Sequence, residues 1–450
     1  MTPHRHRTDR IAAVLAVAAA AVLAAASFAS HTPKVPLGTV SSIARRGISS
    51  LPARLDGQIL VKFRKSVPLA LQASTIVAYR SRVMTKISRL GVYVMEVPAD
   101  ETPEKMVYAL RQNPDVEYAE PNVLLRALIT PNDPLFKYQY ALSNTGQIIG
   151  SVPGSPQGKA SADIKAPTAW GETKGREDII VAVVDSGVDM AHPDLQNKIQ
   201  NSGKDFINND NDATDDLWHG TFVAGIIAAQ NDNGEGIAGV AWNCKILPVK
   251  VLDNSGVGST DQVASGILWA ADNGAAVINL SLGAETGTET LRAALKYAYD
   301  KGVIIVAAAG NGNTNVFYPA AYDTYVLAVA ATDYNDNRAD FSNFGARIDV
   351  AAPGVRILST VPTWYFGPDV LPYGYADGTS FSAPHVAGLA ALIKSLKSWL
   401  TPAQIMDVIR YSADDVNSSQ FLGKDEYIGY GRINMEKALV PLIINKPVGQ

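Results

Sequence analysis

The chain has 450 residues, 47% of them apolar, with a mean hydropathy of +0.03 and a formal net charge of −4. That length exceeds what one hydrophobic core usually fills, so two domains with appendages are expected. Residues 1–128 carry 17 Lys and Arg against 9 Asp and Glu, whereas residues 129–450 carry 22 against 34; a basic front part beside an acidic main part favours mutual attraction and excludes nucleic acid as a partner of the main part.

The first 29 residues place Arg5, Arg7 and Arg10 before an Ala/Val/Leu run from Ile11 to Ala26, with a small-residue exit at Ser27-Phe28-Ala29. This reads as a signal peptide for secretion to an extracellular location. The alternative is an uncleaved anchor, but the run falls short of the ~20 residues of a comfortable span, and no later stretch is apolar enough to span a membrane once the signal is removed. Residues 30–55 read as a linker. Residues 56–127 then alternate strand (Ile59–Phe63), helix (Leu69–Arg82), strand (Val92–Val97), helix and strand (Val116–Asn122), the second helix opening with Thr102 as cap and Pro103 at its first position. This predicts a small α+β domain.

Residues 128–440 alternate short apolar runs with helical stretches. Ile179–Val184, Lys245–Val251, Ala276–Leu280, Val303–Ala308 and Val326–Val329 have the continuous apolar character of strands buried on both faces. Helices fall between them, at Gly220–Ala229 and Asp261–Asn273. The prediction is an α/β fold with a doubly wound, mostly parallel sheet, whose functional residues gather at the carboxyl ends of strands. Residues 441–450 form a tail. The single cysteine, Cys244, excludes an intrachain disulfide and sits in an apolar run, as a small core residue does.

Three segments carry chemistry: Val183-Val184-Asp185-Ser186-Gly187, His219-Gly220-Thr221-Phe222-Val223-Ala224-Gly225, and Gly378-Thr379-Ser380-Phe381-Ser382-Ala383-Pro384-His385. A serine hydroxyl needs a base beside it to become a nucleophile. Three of the six histidines (His4, His6, His31) lie in the leader. His385 follows Ser380 by five residues on a helix and points away from it, and His192 lies in a loop before Pro193. His219, followed by the small residues Gly220 and Thr221, is the candidate base. Asp185, at the end of the first long apolar run, is placed to fix its tautomer. Ser380 at a helix start can offer its own N–H to a developing oxyanion. The serine segment is not a Gly-x-Ser-x-Gly elbow, because Ser382 replaces the second Gly, which argues against an esterase of the α/β-hydrolase type.

Asp…His…Ser in this order, each in its own motif, resembles the subtilisin-like serine peptidases (subtilases), and within them thermitase-like secreted bacterial members. The resemblance implies a serine endopeptidase acting on polypeptides through an acyl-enzyme. It implies that Asn311, closing the run Ala307-Ala308-Ala309-Gly310, is the second oxyanion donor. It implies that Gly256-Val257-Gly258, Ser281-Leu282-Gly283, Ala309 and Gly310 are cleft edges that pair with an extended substrate. With Gly312 and Ala284 nearby and no charge, apolar or aromatic residues are expected before the cut. Residues 56–127 resemble the inhibitory propeptide of these enzymes, which implies a self-processing zymogen cut between Arg126 and Asp133, functioning as a monomer with its own propeptide as intramolecular inhibitor.

The run Asp205 to Asp215, with Asp205, Asp210, Asp212 and Asp215 among three amides, has the density of hard oxygen ligands that suits Ca²⁺, though a solvated acidic loop has the same composition. The resemblance places a further calcium site at Asp133, Asp194, Asn231 and Asp232. No organic cofactor is expected. The chain departs from the family pattern at Phe222, where a second His is usual, and at Phe381, where a Met is usual; both predict a change of packing. A noncatalytic relative would have lost at least one of Asp185, His219, Asn311 and Ser380, and all four are present.

Overall fold

The computed structural model describes residues 54–123, 129–150, 154–201, 203–322, 324–367 and 370–444. The expected signal peptide, most of the linker and the tail from 445 lie outside them, as do residues 126–128 of the expected processing stretch. Two compact units emerge, divided between residues 127 and 128.

The first unit is an antiparallel sheet of order β2-β3-β1-β4 with two helices: β1 (Arg54–Phe63), α1 (Leu69–Ala78), β2 (Val83–Ile87), β3 (Val92–Glu96), α2 (Pro103–Arg111) and β4 (Val116–Val123). Its core gathers Ile59, Val61, Phe63, Met95, Met106, Leu110 and Ala119. The sequence predicts three strands and a helix continuing to Arg82; the helix ends at Ala78 and β2 follows. Every residue of β2 is exposed, so it carries no buried face and therefore no hydrophobic alternation. It is an edge strand, and Lys86 on it has the character that discourages further pairing.

The second unit is an α/β domain built on a parallel sheet of order β11-β10-β9-β8-β5-β7-β6. The central strands are β5 (Ile180–Asp185), β7 (Lys245–Lys250), β8 (Ala275–Leu280), β9 (Ile304–Ala308) and β10 (Val326–Thr332); β6 (Lys204–Asp205) and β11 (Val350–Pro353) close the edges, and β12 (Ile357–Thr360) pairs antiparallel with β13 (Tyr373–Ala376). The longer helices are α3 (His219–Ala228), α4 (Thr260–Asp272), α5 (Glu289–Asp300), α6 (Thr379–Leu396), α7 (Pro402–Ser412) and α8 (Met435–Ile444). Strands β9 and β10 are buried at every position, as parallel strands covered on both faces must be. Helix α6 is buried along nearly its whole length and packs against α3 and strands β8 to β11. That makes it a core helix, which explains why it is apolar all round rather than on one stripe. Among the described residues no helix is long and apolar enough to cross a membrane.

Candidate active site

Asp185 is the last residue of β5, fully buried, and its Oδ1 accepts from the neighbouring Ser186 N–H at 2.7 Å and from His219 Nδ1 at 2.8 Å. His219 opens α3 with its side chain 17% exposed. The close approach of the two segments needs glycine at 220, because a Cβ there would lie 2.0 Å from Gly187 O. With Nδ1 donating to a carboxylate, Nε2 is left as the lone-pair nitrogen. Burial lowers the proton affinity of this ring more than any other single influence. Against it, the charge and hydrogen bond of Asp185 and the charge of Asp215 act together and hold the pKa above the ordinary histidine value.

The turn leading into α3 is held by Asp215. Its Oδ1 accepts from Ser186 Oγ, Leu217 N and Trp218 N at 2.9–3.0 Å, and its Oδ2 from Thr221 N and Thr221 Oγ1 at 2.9 and 2.6 Å. Ser186 Oγ in turn accepts from Gly220 N. The turn is strained, since Trp218 has φ of 121°. Asp215 therefore spends both oxygens on the histidine's approach rather than on the acidic loop. Lys250, opposite Asp185 in the β5–β7 register and buried, donates to Ser186 O, Leu252 O and Asp216 Oδ1.

Ser380 lies in the first turn of α6, where the leading N–H groups have no intrahelical acceptor. Its Oγ donates to Ser281 O at 3.2 Å, and Ser281 Oγ donates back to Ser380 O at 2.7 Å while accepting from Asn279 Nδ2 at 2.9 Å. Asn311 directs its Oδ1 at Thr379 N and Oγ1, both at 2.9 Å, which leaves its Nδ2 as a free-facing donor near Gly378. Gly310 N donates to Thr379 Oγ1 at 3.1 Å. Phe222 and Phe381, the two departures from the family pattern, pack on each other with ring centroids 4.5 Å apart, and Phe381 also lies 5.5 Å from the His219 ring.

The other two histidines are structural. His385 is buried, bonds Phe381 O through Nδ1 at 2.7 Å and is pushed down to about 4 by burial. His192 bonds Pro372 O through Nε2 and receives Asp194 N at Nδ1, with burial lowering its pKa. Of the expected cleft edges, Ser281 bonds Ser380 directly and Gly310 bonds Thr379 beside it. Gly256 ends an exposed turn closed by Asp253, which accepts from Val257 N; Val257 is 64% exposed and Gly258 half-buried.

The expected metal residues fall into two groups. In the acidic run, Asp205 caps its own turn by accepting from Ile207 N, Asn208 N and Asn208 Nδ2, while Asp210 accepts from Asp212 N and Asp212 from Thr214. Each carboxylate closes a local turn, and among the described residues no group of three or more acidic, His or Cys side chains converges to hold a metal. By contrast, Asp133 and Asp194 are both buried and both bond to Asn233. Asp133 accepts from Asp232 N and Asn233 N; Asp194 accepts from Asn233 Nδ2, Ile237 N and Tyr373 Oη. Burial pushes both carboxyls up, Asp194 to about 6 with the charge of Asp133 adding to the effect. The side chain facing Asp194 is that of Asn233. Asn231 is spent on Gly239 N and O, and Asp232 accepts from Asn132 N on the surface. The Asn-Asp-Asn run at 231–233 signals this loop without saying which amide turns inward.

Comparison with known proteins bears on the family and the fold. Residues 176–431 match the subtilase family model and residues 54–122 the fervidolysin N-terminal prodomain. The chain is 41% identical to the thermophilic serine proteinase of Bacillus sp. (strain AK1), covering 86% of this chain and 88% of that one. It is 43% identical to thermitase of Thermoactinomyces vulgaris, covering 69% and 99%. Among solved structures, a protease of Pseudoalteromonas arctica superposes with a TM-score of 0.60 at 34% identity over 70% of this chain and all of that one. Fervidolysin of Fervidobacterium pennivorans gives 0.57 at 27% identity over 88% and 65%. The chain belongs to the subtilase family and is a subtilisin-like serine peptidase carrying an N-terminal prodomain.

Proposed function

We propose that Ser380, His219, Asp185 and Asn311 hydrolyse polypeptides through an acyl-enzyme. The observation that carries this is the 2.8 Å bond from His219 Nδ1 to Asp185, which fixes the tautomer a general base requires. Rotation about its Cα–Cβ bond turns Ser380 Oγ from Ser281 O to His219 Nε2; hydrogen bonds of this kind are often long before substrate binds. Oγ then attacks the substrate carbonyl carbon as its proton passes to Nε2. The oxyanion forms between Ser380 N–H and Asn311 Nδ2, the latter held by the Thr379 bonds. His219 gives the proton to the leaving amine, and water repeats the sequence to release the acid. The edges at 256–258 and 281–283, exposed at Gly256, Val257 and Gly283, suit an extended chain pairing with them. Ser380→Ala should abolish peptide hydrolysis, and phenylmethylsulfonyl fluoride should label Ser380; full activity in that variant overturns the reading.

Residues 56–127 function in the same reading as an intramolecular inhibitor, released by a cut between Arg126 and Asp133, and the leader of residues 1–29 directs secretion. The match to a prodomain and the basic charge of residues 1–128 support this. The Ser380→Ala precursor should keep that bond intact by mass.

Calcium fits one of the two expected places. Asp133 and Asp194 are buried carboxylates with no ion-pair partner among the described residues, and with Asn233 they form an all-oxygen set of the kind Ca²⁺ takes. The ion would neutralise two like charges and tie the segment around Asp133 to the loop at 231–237.

A further inference from the structure

We propose that Phe317 closes the pocket that receives the side chain before the scissile bond, so that this peptidase cuts after small residues such as Gly, Ala and Ser. The inference rests on the catalytic reading above and concerns the substrate class of that same site. It narrows the expectation of apolar or aromatic residues there, which followed from the absence of charge and took no account of volume.

The pocket is located by the nucleophile. Ser281–Ala284 is anchored to Ser380 by the reciprocal bonds of Ser281, and Ala309–Asn311 is anchored to Thr379 by Gly310 N and Asn311 Oδ1. A carbonyl attacked by Ser380 with its oxygen toward Asn311 must hang its side chain in the gap between these two segments. The third side is Phe317-Tyr318: Phe317 N donates to Ala309 O at 2.9 Å, and Ala284 and Tyr318 exchange two backbone bonds of 2.8 Å.

The aromatic ring crosses this gap. A Cβ built on Gly283, on one wall, would lie 3.3 Å from Phe317 Cβ and 3.9 Å from Cδ2. On the other wall, a Cβ on Gly310 would meet Cδ2 at 2.9 Å and Cγ at 3.0 Å, and one on Gly312 would lie 3.9 Å from Cζ. Glycines on both walls would by themselves leave a wide backbone-lined slot; here they are the space the ring occupies. Gly310, at φ of 106°, cannot be exchanged for a larger residue without strain. The floor is also fixed, because Asn343 donates to Ala309 O and accepts from Gly312 N and Thr314 N. Phe317 is held by its backbone bond to Ala309 and preceded by the buried Val316.

The test uses the processed enzyme with peptides identical except for Ala, Leu or Phe before the cut. In the wild type, kcat/KM should be higher for Ala than for Phe by about tenfold or more, the range a few methylenes of volume discriminate. Phe317→Gly should open the slot and raise the Phe-to-Ala ratio by at least about tenfold, and Phe317→Ala should move it part of the way. A wild type that prefers Phe or Leu overturns the proposal without any variant, as does an unchanged ratio in both variants. Cleavage of all three peptides with no preference sinks the Phe317 inference and leaves the Ser380 mechanism standing. Failure to cut any of them, with no labelling of Ser380, removes both.

Discussion

Ser281 Oγ donates to Ser380 O at 2.7 Å because Pro384 cannot. In a regular helix the N–H four residues on would bond that carbonyl, and proline has none. Pro384 is the sixth residue of α6, inside the helix and past its first turn. The orphaned carbonyl is satisfied by a hydroxyl from the end of β8, and that hydroxyl is itself steadied by Asn279. The substitution of a side-chain donor for a helix donor ties the backbone of Ser380 to Ser281.

A double-mutant cycle checks this. Ser281→Ala should strand Ser380 O and cost about 1–3 kcal/mol, the penalty for a buried unpaired group, with a fall in kcat from the loosened nucleophile. Pro384→Ala restores the N–H, so the double variant should be more stable than the sum of the single effects predicts. Strict additivity in thermal melts would show that the two residues do not share this carbonyl.

The acid limb of activity should lie above the ordinary histidine value of ~6.5. His219 acts as a base only when neutral, and its pKa is raised in the folded protein. Activity therefore appears as pH rises through that raised value. Asp185→Asn removes the charge that raises it, so the limb should shift to lower pH while kcat drops by about 10⁴. The same shift has a stability consequence of defined sign. A raised histidine pKa contributes stability that is complete below the unfolded value and is lost as pH rises through the folded one. A pH–rate profile with an acid limb below ~6 in the wild type would contradict the Asp185–His219 coupling.

Asp215 shows what the sequence could and could not disclose. Its place in an acid-rich run reads as metal-binding density, yet the residues it serves, Ser186, Leu217, Trp218 and Thr221, are separated from it by the fold on one side and only a few positions on the other. Asp185, His219 and Ser380 were legible as candidates because each sits in its own motif, with Gly187 and Gly220 demanded by close approach beside the first two. The strands were legible because burial on both faces leaves continuous apolar runs. Strand β2 was hidden because an exposed edge leaves no pattern, and Phe317 because its meaning depends on glycines 5, 7 and 34 positions away, which only tertiary structure gathers around its ring.

Asp215→Ala should therefore behave as a structural lesion of the active site. Removing the acceptor strands several buried donors at about 1–3 kcal/mol each, so a loss of at least about 3 kcal/mol is expected. His219 should lose its fixed approach at the same time. Asp212→Ala, which removes only an exposed turn acceptor, should stay within about 0.5 kcal/mol of the wild type, as surface changes usually do. Equal effects of the two substitutions on melting temperature and kcat would refute the assignment.

Calcium should act through Asp133 and Asp194 and leave the acidic run of β6 aside. A ligand that binds only the folded state stabilises by about 2.7 kcal/mol at a hundredfold excess over its dissociation constant. Excess chelator should accordingly lower the melting temperature and speed autolysis, and added Ca²⁺ should reverse both. The site is identified by which variant loses that response. Asp194→Asn keeps acceptor capacity for Ile237 N and Tyr373 Oη but removes a charge from the pair, so its melting temperature should become insensitive to calcium. Asp210→Asn should retain the full response, since Asp210 only closes a turn with Asp212. If Asp210→Asn abolishes the calcium response and Asp194→Asn does not, the ion belongs to the acidic loop, and the two buried carboxylates need another explanation.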